Sequence, residues 1–207
     1  MKQILIDLCK GTNFETLFKK KNYAYFKNGS FNLNIIGIRT TKTDKITNEF
    51  NDALVVIYTT EDGKEIRYCY PITTDPGRTY MKDPLSNKGT AILVPAQYRS
   101  SWKIGLHQGK YKALTQYKAV KVYRDGNKNN VYDFDPKTIE EGIFGINIHK
   151  AGAASVQVDK WSAGCQVFAN TVDFNHFMKL CDKQVEKGFG KLFTYTLLTD
   201  KEIINNE

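Results

Sequence analysis

The chain has 207 residues, of which 41% are hydrophobic and 13% aromatic, which is ample for one packed core and excludes global disorder. Its net charge of +8 favours polyanionic partners such as nucleic acid, anionic membrane or acidic cell-wall polymer, but the leading account is a solvated basic surface with no dedicated partner. No apolar run approaches the roughly 20 residues of a membrane span, and no zinc-finger, helix-turn-helix or aromatic-interleaved basic helix supports a specific nucleic-acid reader.

The opening "MKQILIDLCKGTNF" has a short apolar run broken by Asp7 and lacks a secretory h-region and cleavage site. The expectation is synthesis in the cytoplasm without a signal peptide. Residues 13–30 predict a short helix followed by a loop, and 31–40 a strand. After a polar connector at 41–52, "ALVVIYTTEDGKEIRYCYPITTD" presents two β-rich runs about Asp62-Gly63, a hairpin cue. Residues 73–89 hold two prolines and two glycines and predict a long loop. "TAILVPAQY" reads as a strand stopped by Pro95. Residues 111–130 read as one or two strands ending in a turn at Asp125-Gly126, and "GIFGINIHK" as a glycine-punctuated strand. Residues 172–187 have helical spacing with Gly188 as the stop, and "KLFTYTLLT" closes the chain's pattern with a strand. The sum predicts a mainly β sandwich or barrel with one helix near the C-terminus.

The four cysteines are Cys9, Cys69, Cys165 and Cys181; none forms a C-x-x-C pair, and free thiols are expected. Cys69 and Cys181 fit small core residues. Cys165 follows the small run Ser162-Ala163-Gly164, and His149 ends a strand sixteen positions earlier. A thiol becomes a nucleophile when a base or a positive field favours its thiolate. On this reading His149 is the base, and the N–H groups of Ala163, Gly164 and Cys165 form an oxyanion hole, each donor contributing roughly 3 kcal/mol. A thiolate of depressed pKa, alkylated ahead of the other three, is then expected. The competing reading is a small buried thiol and a structural histidine.

His149 followed by Ser162-x-Gly164-Cys165 resembles the signature of the L,D-transpeptidase (YkuD-type) catalytic domain: a His, a gap of mid-teens length, then Ser/Thr-His-Gly-Cys-hydrophobic-Asn/Arg. Residues 52–199 resemble the family's hairpin, Pro/Gly loop, closing helix and strand. The resemblance implies an L,D-transpeptidase-like β-sandwich or barrel over 51–207, preceded by an N-terminal extension, 1–50, that either stands apart or adds strands to the same sheet. It implies a thioacyl intermediate on Cys165 and activity on peptidoglycan stem peptides, with water or an amine as acceptor. It assigns His149 as base, the Ser162 carbonyl as the group steering the imidazole, and Gly164 as the shaper of the anion site. Three departures stand out. The gap is slightly short, Ala163 replaces the motif's His, and Val167 replaces its Asn/Arg, with Gln166 in the hydrophobic slot. Lys150 or Gln166 would then supply the polar contact to substrate that the missing Arg cannot.

Around this pair, Trp161 is either a platform for sugar or peptide or a core aromatic. His107 or Tyr111 is a substrate-wall residue, or else "GLHQGKYKAL" is a glycine-rich turn with a surface His. His176 reads as structural or exposed. "DGNKNNVYD" places Asp125, Asn127 and Asn129 as in a calcium loop, but lacks the Gly and Glu such a loop requires and reads as an Asx-rich turn. No metal, cofactor or dinucleotide motif is present, so none is expected. The function expected is a cysteine acyl transferase or peptidase on wall peptides, reached either in a phage-type setting through holin release or a virion, or as a substrate met in the cytoplasm. The alternative is a non-catalytic module of the same fold that binds wall polymer or a virion protein.

Overall fold

The computed structural model describes residues 2–41, 45–153 and 155–204; part of the connector, 42–44, lies outside them. Strand outweighs helix. The elements are α1 (Lys2–Gly11), α2 (Phe14–Lys20), β1 (Asn34–Arg39), β2 (Asp52–Thr59), β3 (Glu65–Thr73), α3 (Arg78–Lys82), β4 (Thr90–Leu93), β5 (Gln97–His107), β6 (Tyr111–Gln116), β7 (Val120–Asp125), β8 (Glu140–Gly142), β9 (Ile148–Lys150), β10 (Gln166–Phe168), α4 (Thr171–Glu186), β11 (Leu192–Thr199) and α5 (Asp200–Ile204). Eight strands close a barrel in the order β1-β11-β5-β6-β9-β10-β3-β2, while β4, β7 and β8 form a separate small sheet. Besides the C-terminal-region helix and the short N-terminal one expected, three more helices (α1, α3 and α5) stand among the described residues.

The run Asp52–Thr59 is nearly continuous in burial, and the barrel explains why. Leu54, Val56 and Tyr58 point into the barrel core with Trp102, Ile148, Phe168 and Tyr195. The alternate set, Ala53, Val55 and Ile57, is covered from outside by Leu5 and Cys9 of α1 and by Phe14, Leu17 and Phe18 of α2. A strand covered on both faces loses the period-2 polar pattern. Arg67 on β3 donates to the carbonyls of Cys9, Lys10 and Thr12 at 2.8–3.0 Å, satisfying acceptors that the end of α1 leaves open. β1 is hydrogen-bonded between β2 and β11, so that part of segment 1–50 lies in the barrel wall.

One end of the barrel is fastened to the small sheet by a buried charge cluster. Arg39, 2% exposed, ends β1 and pairs with Asp75 at 2.8 Å. Its Nε–H is directed to Thr74 Oγ1 (3.1 Å), so Asp75 Oδ1 is held by charge and not by a directed hydrogen bond. Its other nitrogens donate to Leu93 O at 2.8 Å and Thr74 O at 3.0 Å. Asp52 accepts from Thr40 N–H, Thr74 N–H and Thr74 Oγ1–H at 2.7–2.8 Å.

The guanidinium pairs with Asp75, and Asp52 is a second buried carboxyl in the same cluster. Desolvation first, and the neighbouring Asp75 second, push Asp52 up to about 7. The folded protein therefore keeps a proton that the unfolded chain releases near pH 4. This contribution to stability is complete below about pH 4 and is lost as pH rises to about 7, at up to about 1.4 kcal/mol per pH unit. Urea midpoints at pH 5 and pH 7 should fall with pH in the native chain, and the fall should be markedly smaller in Asp52→Asn. Equal slopes in both would remove Asp52 as the cause.

Candidate active site

β9 and β10 are parallel neighbours with Gln166 opposite Ile148 and Val167 opposite His149. Side chains alternate along both strands. Ile148 and Phe168 enter the barrel core. Gln166 faces inward too, accepting from Tyr195 Oη–H at 2.8 Å and donating to Gly164 O at 3.3 Å. Asn147, His149, Cys165 and Val167 therefore share the outer face. Asn147 N–H donates to Cys165 Sγ at 3.4 Å, and the thiol donates to Gly145 O at 3.4 Å. His149 lies two residues, about 6.6 Å, further along the strand. Both side chains line one cleft of 470 Å³ between the barrel and the small sheet. His107, Trp161 and Ala163 line the same cleft, with Lys160.

The turn before Cys165 requires glycine. Gly164 has φ +122°, and a Cβ there would lie 2.3 Å from Ala91 O. Ser162 Oγ accepts from Gly164 N–H at 3.2 Å and donates to Cys165 O at 2.9 Å. Gly77 N–H donates to Ser162 O at 2.8 Å, tying the turn to the Pro/Gly loop.

Several sequence expectations change here. The Ser162 carbonyl holds Gly77 and not the imidazole, because it faces the loop at 74–77. His149 Nδ1 lies 2.9 Å from Lys150 O, with Tyr111 Oη at 3.2 Å. A carbonyl only accepts, so the proton sits on Nδ1 and Nε2 keeps its lone pair. Gly164 N–H is taken by Ser162 Oγ, leaving Ala163 and Cys165 of the three supposed oxyanion donors. Gln166 is fully buried and cannot touch substrate, since strand alternation turns it inward. Lys150 leans over the Tyr111 ring at 5.3 Å and lines a separate groove against α4. Trp161 is 44% exposed on the cleft wall, where the core alternative placed it inside. His176 accepts or donates at 2.8 Å to Tyr70 Oη. Asn147 went unread. Its signal was its place two residues before His149 in a strand, hence on the same face.

The electrostatics reverse another expectation. Cys165 is half-buried and packs against the cluster of Phe50, Ala151, Val158, Val167 and Ala169. Desolvation pushes its thiol up to about 11, against the opposing Asn147 hydrogen bond. Burial, followed by the adjacent His107, pushes His149 down to about 3. Both groups on the cleft wall rest neutral, a thiol and an imidazole, with no thiolate–imidazolium ion pair. The Cys69 thiol moves the other way, lowered chiefly by a hydrogen bond from Cys9. Iodoacetamide at pH 7 should therefore label Cys69 ahead of Cys165, with Cys9 and Cys181 last, and Cys165 labelling should climb as pH rises toward 10. Peptide mapping reads the order; Cys165 labelled first at pH 6 would contradict the neutral thiol.

Asp125, Asn127, Asn129 and Asp133 form an Asx network, with Asp133 N–H on Asp125 Oδ2 at 2.9 Å and Asn129 N–H on Asn127 Oδ1 at 3.1 Å. Among the described residues no group of three or more His, Cys, Asp or Glu is placed to hold a metal ion, and no helix is long and apolar enough to cross a membrane. Comparison with family models, curated proteins and solved structures finds no match to this chain.

Proposed function

We propose that this protein is a cysteine acyl transferase or peptidase of L,D-transpeptidase type, acting on peptidoglycan stem peptides through a thioester on Cys165. The observation that carries the reading is the shared outer face of β9 and β10. It sets a thiol and an imidazole with a free Nε2 on the wall of one cleft. The basic surface suits an anionic wall polymer.

In this scheme the substrate carbonyl settles over Cys165 Sγ. His149 Nε2 takes the thiol proton as the S–C bond forms, because a neutral pair cannot supply a thiolate in advance. The N–H groups of Ala163 and Cys165 receive the developing oxyanion. The C–N bond breaks, and the imidazolium returns its proton to the leaving amine. An incoming water or amine gives a proton to Nε2 and attacks the thioester; the C–S bond breaks, and the imidazolium returns that proton to the departing sulfur, restoring the thiol. Trp161 and Ala163 wall the substrate, and Lys160 supplies a cation at the cleft for a substrate carboxylate.

A second reading, a wall-binding module on the same fold, is favoured by the raised thiol pKa and by Val167 where the motif has Asn/Arg. Mass spectrometry after incubation with purified muropeptides, or with a carbapenem, separates the two. The enzyme reading expects an acyl adduct on the Cys165 peptide and a defined cleavage point. Sedimentation with intact sacculi and no adduct at any pH from 5 to 9 would establish the binder instead.

A further inference from the structure

The cleft holds two imidazoles, and the proposed chemistry uses one. His107 ends β5 and is 8% exposed. Its ring lies over that of His149 with centroids 3.9 Å apart and planes inclined by 17°. The two histidines come from β5 and β9, with Tyr111 of β6 against both.

Asn147 determines the protonation of this stack. Its Oδ1 accepts from Gln116 N–H at 2.9 Å, so its Nδ2 is the atom 3.1 Å from His107 Nδ1. An amide nitrogen donates, so His107 Nδ1 accepts and its proton sits on Nε2. Lys150 O places the His149 proton on Nδ1. The stack therefore consists of two neutral rings in opposite tautomers. The same Asn147 gives its backbone N–H to Cys165 Sγ, so one residue sets both the sulfur and the second ring.

We propose that His107, clamped by Asn147, is a positioning residue: its ring covers one face of His149, keeps water from it, and holds it as a neutral base with Nε2 free. The inference rests on the reading of Cys165 and His149 as nucleophile and base. An imidazolium cannot take the thiol proton, and a solvated imidazole charges near pH 6.5. The groups facing the stack are Tyr111 from β6, the Lys150 carbonyl from β9, the Cys165 thiol, and Lys110 from the β5–β6 turn, whose charge adds to burial in holding His107 neutral.

The test compares His107→Ala with His107→Phe, which keeps an aromatic cover, in single-turnover thioester formation across pH 4–9. His107→Ala should move the acid limb up by about two pH units and lower the maximal rate about 10–100-fold. His107→Phe should keep the limb in its native place at a reduced rate. Nitrogen-15 imidazole spectra give an independent readout. The native chain at pH 5 should show both rings neutral, with the proton on Nδ1 of His149 and on Nε2 of His107. In His107→Ala, the His149 midpoint should rise by the same amount, about two pH units. A thioester that forms in the native chain with an acid limb unmoved in His107→Ala overturns this inference alone, as does a charged His107 at pH 6. No thioester in the native chain overturns the catalytic reading beneath it.

Discussion

Cys165→Ala is expected to abolish turnover, by a factor on the order of 10³ or more, and to erase the covalent adduct. No second thiol can stand in: Cys9 and Cys181 are fully buried and Cys69 lies on β3 under α1. The fold should survive. The side chain is half-buried at the edge of a five-residue cluster, so losing the sulfur should cost about 1 kcal/mol. His149→Ala keeps the thiol and should slow acylation comparably. The two variants differ in one respect: at pH 10, where thiolate forms unaided, His149→Ala should regain part of its acylation rate and Cys165→Ala none. Near-native turnover by Cys165→Ala would end the assignment of Cys165 as nucleophile.

Arg39→Met is expected to destabilise the fold by about 3–5 kcal/mol, because it strips the counter-charge from Asp75 in a dry interior. The damage should reach the site. Arg39 holds Thr74 O and Leu93 O, the segment at 74–77 supplies Gly77 N–H to Ser162 O, and Ser162 sets the turn that carries Cys165. Arg39→Met/Asp75→Asn removes one charge with the other and should regain a substantial part of the loss. Urea unfolding followed by circular dichroism measures both. A cost below about 1 kcal/mol for the single variant would show that the pair is not under the strain of burial argued here.

Local chemistry made much of the scaffold readable. The β2–β3 hairpin follows from Asp62-Gly63 between β-rich runs, and α4 from apolar spacing with Asn170 as its cap. β5, the longest strand, was hidden because its alternation breaks. Ser100 takes φ +54°, and the buried face passes from Tyr98 to Ser101 and Trp102. Helix α1 buries Leu5 and Cys9, an i, i+4 pair in a stretch weighed only as a possible leader. His149 and Cys165 stood out by residue type and by their neighbours. The inward turn of Gln166 was readable in principle, since it alternates with Cys165 and Val167. The His107–His149 stack was not, because it joins strands forty-two positions apart through a barrel order that no local pattern encodes. The burial that sets both pKa values is likewise a property of the assembled walls.

The parallel ladder of β9 and β10 has a bearing on how such proteins are sought. Parallel neighbours cannot be joined by a tight turn, so the chain leaves the barrel after Lys150 and returns at Gln166 beside its starting point. Distance between sulfur and ring is dictated by cross-strand bonding, and the detour can lengthen or shrink without disturbing it. Spacing along the polymer is thus a poor search key. Two short alternating triplets, one ending beside an imidazole and the other beginning after a glycine-cysteine step, would form a sturdier one.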